Sequence, residues 1–383
     1  MTMRVLFFGT PALGHLIPLF PLARALRGQG HPVSFVTAAG MAPLIGPEGF
    51  DVVPAGPMPD VLFAEVARRT GTDPAANPTP EGVAEFFGGT RIDLAGDEAL
   101  AGARAFAPDL IVAEQFDLVA PLVARALGVP LAMMAVGPAA PAEFFAAFTA
   151  VVRPRYRDRG LPEPEHAAAG DWLLDTCPPS LQFPGVRPLG ERLPLRPEPH
   201  RSDAAGPELT LPPPSGRPRV LLSFGSHFAE PRVVSPFLRG LATLDIDLVA
   251  TTGLVGRAED YDVDPERVLL TPFVPLARLL PGVSVVVGHG GAGTTLGTLA
   301  RGVPMVVVPQ GADQFLQADR VTAAGAGIAV PPGQQDPATV AAAVRRVLAE
   351  PGFTDAARRV RDDVAAMPSP DRVAEQLVAA VAR

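Results

Sequence analysis

The chain has 383 residues, 48% of them hydrophobic and 19% charged, with a formal net charge of −8. Its 38 Gly and 46 Pro stay below the combined share, roughly 25–30%, that marks aperiodic disorder; collagen and coiled coil are disfavoured too, and two or three packed domains are expected. The 32 basic residues are all Arg and form no run, which argues against nucleic acid and anionic membrane; the single cysteine, Cys177, excludes an intrachain disulfide or multi-cysteine zinc site and suits a reducing, cytoplasmic setting.

Residues 5–23 carry no acidic or Arg side chain, which resembles a signal peptide or a membrane span of about 20 residues. Gly9-Thr10-Pro11 breaks that run after a short apolar strand, Val5–Phe8, and a helical period then runs to Arg27. Strand, Gly-containing loop and helix make the first half of a βαβ unit, and no span is expected. Further strands are expected at Val33–Thr37, Asp51–Pro54, 110–113 and 131–136, with helices such as 16–28 and 117–127 between them. Strands without polar alternation, separated by helices, predict a parallel sheet covered on both faces. Residues 57–97 hold Asp73-Pro74, Asn77-Pro78, Thr79-Pro80 and Phe86-Phe87, and are expected to form a long irregular insertion.

Residues 206–217, with three consecutive prolines between Gly and Ser, read as a semi-rigid linker. The rhythm then restarts, with strands at 220–224, Asp247–Thr251, 268–270, Val283–Gly288, 305–309 and 328–330 and closing helices at 338–349 and 371–383. The expected fold class is α/β: two doubly wound domains, 1–205 and 218–383, with a cleft between them and the last helix free to pack back on the first domain. Ligands of such sheets lie beyond the carboxyl ends of the strands.

Four strand-end loops carry chemical signal. After Val283–Gly288 comes HGGAGTT, His289 to Thr295, opening a helix. Its glycines allow close backbone approach, the first-turn N–H groups favour an anion, and His289 can add a hydrogen bond or a positive charge. A Gly-rich turn for tight packing is the plain alternative. Neither a P-loop nor the dinucleotide fingerprint is spelled here. Ser223-Phe224-Gly225-Ser226 is a second possible oxyanion turn. In the third, Pro309 to Gln314, Asp313 either caps the next helix or joins Gln314 in holding neighbouring sugar hydroxyls. The fourth, Gly14-His15, places an imidazole at the first strand's end, where it titrates near working pH.

With these residues the chain resembles the two-domain GT-B glycosyltransferases of family 1, of the bacterial kind that decorate antibiotics and other natural products. The likeness spans nearly the whole chain. It rests on Gly14-His15-Leu16-Ile17-Pro18 and on the ordered block Pro272-Phe273-Val274-Pro275, Gly288 to Thr295, Gly302-Val303-Pro304 and Pro309 to Gln314. The resemblance implies two facing Rossmann-like domains, the first for the acceptor and the second for a nucleoside-diphosphate sugar, TDP- or UDP-linked. It makes His15 the general base and matches Ser226, His289, Gly291, Gly293 and Thr294 to the donor diphosphate. Phe273 and Val274 match the nucleobase loop, and Asp313 and Gln314 the sugar contacts. Where the family often has an Asp orienting the His, this chain has Glu114, one methylene longer. A plant-type Trp over the base is absent; the only Trp is Trp172.

The chemistry expected is inverting transfer to a hydrophobic aglycone such as a polyketide, with no cofactor and no metal. A base takes the acceptor proton during attack, and donors aimed at the leaving diphosphate stabilise its growing charge. Phe86, Phe87, Phe116, Phe144, Phe145 and Phe148 are candidates for an apolar acceptor pocket, core burial being the alternative for each. Asp262-Val263-Asp264 spells a metal-binding D-x-D but precedes a strand rather than following one. His227 follows Ser226 and is read as surface packing before phosphate contact. Two readings compete with transfer: a sugar-nucleotide epimerase and a non-catalytic nucleotide-sugar-binding homologue of the same fold.

Overall fold

The computed structural model describes residues 2–74, 78–140, 142–187 (142 without its side chain), 189–202, 211, 213, 215–226, 228–254 and 256–382. The chain divides into two compact units that exchange short segments: Met1–Thr176 with Pro184–Leu195 and Pro368–Arg383, and Cys177–Phe183 with Arg196–Met367. The expected boundary in the Pro-rich stretch is thus not where the units part. Most of that linker, and His227, lie outside the described residues.

The first unit holds strands β1 (Val5–Phe8), β2 (Val33–Thr37), β3 (Asp51–Pro54), β4 (Leu110–Glu114), β5 (Leu131–Met134), β6 (Trp172–Asp175) and β7 (Glu191–Pro194). They form one sheet in the order β3-β2-β1-β4-β5-β6-β7, every neighbouring pair parallel. β1, β4 and β5 are buried along their whole length, because helices cover both faces. Alternate residues feed two cores. Leu6, Phe8, Ile111 and Ala113 pack on one side; Val5, Phe7, Leu110 and Val112 on the other.

The second core also takes in Val373, Ala374 and Leu377 of the C-terminal helix Pro370–Val381. Spacings of one and four residues put these three on one helical face. Ser369 caps the helix by accepting the Arg372 N–H, and Pro370 pre-sets the first turn. Leu377→Ala would cost about 2–5 kcal/mol by leaving a cavity there.

Two strands escaped the sequence reading. β6 is only four residues long, and β7 is an edge strand with exposed Glu191 and Arg192, without the apolar run of a central strand. Residues 57–97 are a larger correction. They are helical over Pro59–Thr70, Pro80–Ala84 and, from Thr90, the helix Thr90–Phe106, with a π-helical turn at Glu85–Gly89. Pro59 and Pro80 start helices instead of breaking them. Thr79 accepts the Gly82 N–H as an N-cap, and Gly71 closes the first helix in the left-handed region.

The second unit repeats the plan with β8 (Arg219–Ser223), β9 (Asp247–Thr251), β10 (Val268–Thr271), β11 (Val283–Gly288), β12 (Met305–Val307) and β13 (Gly327–Ala329). Their order is β10-β9-β8-β11-β12-β13, again all parallel. In each sheet the strand order reverses at one place, between β1 and β4 and between β8 and β11. Crevices at such reversals are where doubly wound sheets bind ligands.

Candidate active site

At the first reversal, β1 ends beneath the short helix Leu13–Leu16 that carries His15, and β4 ends in Glu114. His15 Nδ1 lies 3.1 Å from Glu114 Oε1. The carboxylate is fully buried and the histidine side chain 23% exposed. Glu114 also accepts the Thr10 N–H at 3.3 Å and the Phe116 N–H at 2.7 Å. Burial alone would raise its carboxyl; the nearby imidazole and these hydrogen bonds more than offset that and hold it below the ordinary carboxylate range. A carboxylate on Nδ1 sets the ring's orientation and tautomer, and Nε2 is the nitrogen on the side of the ring away from Glu114.

Aromatic rings surround this pair. Phe87 lies 5.4 Å and Phe116 6.2 Å from the His15 ring, centroid to centroid. Phe116 in turn meets Phe87, Phe144, Phe145 and Phe148. The proposed acceptor residues therefore separate. Phe116 touches the histidine. Phe144 is 42% exposed at the edge of the cluster. Phe145 is 1% exposed and belongs to the core, where it backs Phe144 and Phe116. Phe86 is buried as well, stacked on Phe63 at 4.5 Å with Leu62 and Val66 around it. Neither buried ring offers surface to an acceptor.

At the second reversal, Ser226 follows β8 and His289 follows β11. The His289 ring sits between two glycines. A Cβ on Gly225, itself in the left-handed region at φ +69°, would come within 2.8 Å of ring Cε1, and one on Gly291 within 2.5 Å of Nε2. Phe224 and Phe228 pack at 6.2 and 5.6 Å. Burial pushes the imidazole down to about 4, against a smaller opposing contact with the Ser223 backbone. The sequence left open a positively charged His289; burial in this fold disfavours the charged ring and favours its use as a hydrogen-bonding group.

Helix Ala292–Leu299 starts here with Gly291 as its N-cap and no capping side chain. Its first intrahelical bond is from the Thr295 N–H to Gly291 O, at 2.9 Å, so the N–H groups of Ala292, Gly293 and Thr294 precede the ladder. A Cβ on Gly293 would meet nothing within 4 Å, so none of the described residues demands glycine there, and the space beside the helix start is open. Thr294 is half-buried on the same turn.

The loop after β12 adds Asp313 and Gln314. Asp313 occupies the N-cap position of helix Gln314–Ala323 yet makes no capping hydrogen bond with its side chain. Gln314 is 2% exposed, and its Oε1 accepts the N–H groups of Gln310 and Gly311 at 2.7 and 3.2 Å. Its carbonyl thus shapes the loop, which leaves only the amide nitrogen to meet a ligand. A Cβ on Gly290 would lie 3.1 Å from the Gln314 backbone oxygen, so this loop and the HGG loop are in close contact. After β10, Phe273 is half-buried with its N–H on Gly253 O at 3.1 Å, and Val274 is buried among the core residues. Asp262 and Asp264 do not join the site: Asp262 pairs with Arg239 at 2.9 Å on an exposed loop, and Asp264 accepts the Glu266 N–H within a turn. Among the described residues no three His, Cys, Asp or Glu side chains gather as a metal site, and no helix is long and apolar enough to cross a membrane.

Family models match both parts of the chain. Residues 24–225 match the N-terminal domain of the erythromycin biosynthesis protein CIII-like family, and residues 235–380 match its C-terminal domain. The chain belongs to this family. It is a GT-B glycosyltransferase of the bacterial natural-product type. It is 33% identical to the L-demethylnoviosyl transferase of Streptomyces niveus, over 98% of each chain. Among solved structures, the glycosyltransferase SnogD from Streptomyces nogalater is 30% identical, with a TM-score of 0.79 over the whole of both chains. Glycosyltransferase VinC, solved in complex with dTDP, is 27% identical with a TM-score of 0.81, again over the whole of both. The epimerase and non-catalytic readings are set aside by this membership.

Two residues of this glycosyltransferase were not assigned a role from sequence. Arg91 and Asp117 form an ion pair at 2.6 Å, 2% and 0% exposed, behind the His15–Glu114 pair. An arginine in a helix and an acid before one look like surface residues until the fold buries them.

Proposed function

We propose that this glycosyltransferase moves a sugar from a thymidine- or uridine-diphosphate donor to a hydroxyl of a hydrophobic, polyketide-type aglycone, inverting the anomeric centre without a metal ion or cofactor, in the cytoplasm. The observation that carries the reading is His15 Nδ1 on a fully buried Glu114 at 3.1 Å. With Nδ1 so engaged, Nε2 takes the proton of the acceptor hydroxyl as the oxygen attacks, and Glu114 stabilises the imidazolium that forms. Phe87, Phe116 and Phe144 give the first unit an apolar wall beside the base, which suits an aromatic or reduced polyketide.

The second unit holds the donor. The first-turn N–H groups of the helix Ala292–Leu299, with Ser226, His289 and Thr294, take up charge as the diphosphate leaves. The Phe273–Val274 loop receives the base, and Asp313 with the Gln314 amide nitrogen receives sugar hydroxyls. VinC was solved with dTDP, which favours thymidine. A single displacement by an unmodified hydroxyl inverts configuration.

The test is a mass-spectrometric screen of TDP- and UDP-sugars against a panel of polyketide aglycones. A product heavier than the aglycone by one sugar is expected. Donor consumed or isomerised with no glycosylated acceptor anywhere in the panel would sink the proposal.

A further inference from the structure

Beneath the His15–Glu114 pair lies a second, fully enclosed charge pair. Arg91 extends from helix Thr90–Phe106, with its Nη2 on Asp117 Oδ2 at 2.6 Å and on Gly9 O at 3.3 Å. Asp117 uses its other oxygen to accept the N–H groups of Val119 and Ala120, at 3.2 and 3.3 Å, where the next helix begins. Nε and Nη1 of Arg91 are buried without a hydrogen-bond partner among the described residues. A guanidinium with two idle donors is not placed for its own hydrogen bonding, since each unmet buried donor is costly.

Two carboxylates three residues apart, Glu114 and Asp117, are both fully buried here. Burial raises the Asp117 carboxyl most; Arg91 opposes that, and the charge on Glu114 adds to it, so the two carboxylates feel each other. The titratable groups that bear on Glu114 are His15, from the helix after β1, and Asp117, from its own loop; Arg91, from helix Thr90–Phe106, bears on Asp117. β1 and β5 on either side of β4 contain none. The Gly9–Thr10 peptide links the two pairs: its C=O accepts from Arg91 and its N–H donates to Glu114.

We propose that Arg91 and Asp117 are positioning residues for the His15–Glu114 pair: Asp117 keeps the Arg91 guanidinium to itself, so that Glu114 spends its charge on His15. Without Asp117, Arg91 turns its charge and idle donors toward Glu114. The imidazolium then loses part of its counter-charge, and His15 becomes a weaker base. Losing both members leaves Glu114 facing His15 alone, as in the native protein. This inference rests on His15 acting as the base.

The experiment follows the His15 ring by NMR titration of the full chain, its signals identified by their loss in His15→Ala. In Asp117→Asn the titration midpoint should fall by about one pH unit. In Arg91→Met/Asp117→Asn it should return to the native position. Turnover should follow, with kcat down roughly tenfold in the single variant, KM little changed, and kcat recovered in the double. Asp117→Ser is used if Asp117→Asn does not fold. A midpoint unmoved in the single variant, or one that moves but is not restored by removing Arg91, overturns the proposal, because a merely structural pair would lower stability without shifting the imidazole. If His15→Ala keeps native turnover, the base assignment fails instead, and the titrations still report how charge is shared.

Discussion

Each unit sets a histidine at the reversal of its sheet, His15 on the short helix after β1 and His289 in the loop after β11, and their surroundings are opposite. His15 is partly open and stands against a buried carboxylate. His289 is 8% exposed, wedged between glycines, and held neutral by burial. In the mechanism proposed above, the same side chain serves as a base in one place and as a neutral hydrogen-bonding group in the other. A base needs a partner for the charge it acquires; a group facing a leaving diphosphate needs a rigid seat. The neighbours, not the residue type, divide the two roles.

Removing the base is the harshest test of that division. His15→Ala should lower kcat by about 10²–10⁴-fold, the usual worth of a positioned general base. Calorimetric affinity for nucleoside diphosphate should stay as in the native protein, since the donor is assigned to the second unit. Native turnover with an oxygen acceptor would end the role of His15. Glu114→Gln should lose less, because the imidazole stays but its orientation and counter-charge do not.

The neutral histidine predicts a stability signature. Its folded value of about 4 lies below the ordinary 6.5, so between these values the unfolded chain binds more protons. The stabilisation is fully present above pH 6.5 and is lost as pH falls toward 4, by about 3 kcal/mol in all. Urea unfolding at pH 7 and pH 5 should show this slope in the native protein and a shallower one in His289→Gln. Equal slopes would mean that His289 is not held neutral by the fold.

How far the sequence carried these conclusions differs between the two regions. The strand, Gly-rich loop and helix around β11 were legible as structure, because an apolar run, glycines and a helical period follow one another there. His15 was legible by its place after the first strand, and Glu114 by its place at the end of the fourth. What stayed hidden depends on three-dimensional burial. Nothing in HGGAGTT announces that Gly225, 64 positions upstream of His289, closes over the imidazole and denies it a proton. Nothing in Thr90-Arg91-Ile92 announces an arginine buried on Asp117. The helices within 57–97 were missed for a local reason: Met58-Pro59 and Thr79-Pro80 were read as interruptions, although proline is also at home in the first turn of a helix.

On the donor side the expected effect is smaller than loss of the base. His289→Ala should weaken nucleoside-diphosphate affinity by about 10–100-fold, the loss of one hydrogen bond to a charged group. Aglycone affinity should hardly change, while Phe144→Ala should show the reverse pattern. Titration of each ligand separately against both variants reads this directly. A His289→Ala protein that binds nucleoside diphosphate normally but loses the aglycone would exchange the roles of the two units.

The smallest expected effect is none at all, and it tests whether the second unit's site works by backbone and side-chain donors alone. A metal-dependent transferase needs carboxylates set beside the diphosphate to hold a divalent ion. The chain's D-x-D cannot serve without rearrangement, because Asp262 is paired with Arg239 and Asp264 is engaged in a turn ahead of β10. The carboxylate in the neighbouring loop, Asp313, is a single one, and the groups closest to the helix start are Gly291, Gly293, Thr294 and His289. A helix N-terminus with free N–H groups can carry a diphosphate's charge itself. Turnover measured in excess EDTA should therefore equal turnover in buffer alone, and added Mg²⁺ or Mn²⁺ should leave it unchanged. A clear loss with chelator, restored by either ion, would require Asp262 and Asp264 to leave their present partners and would overturn the account of the diphosphate site.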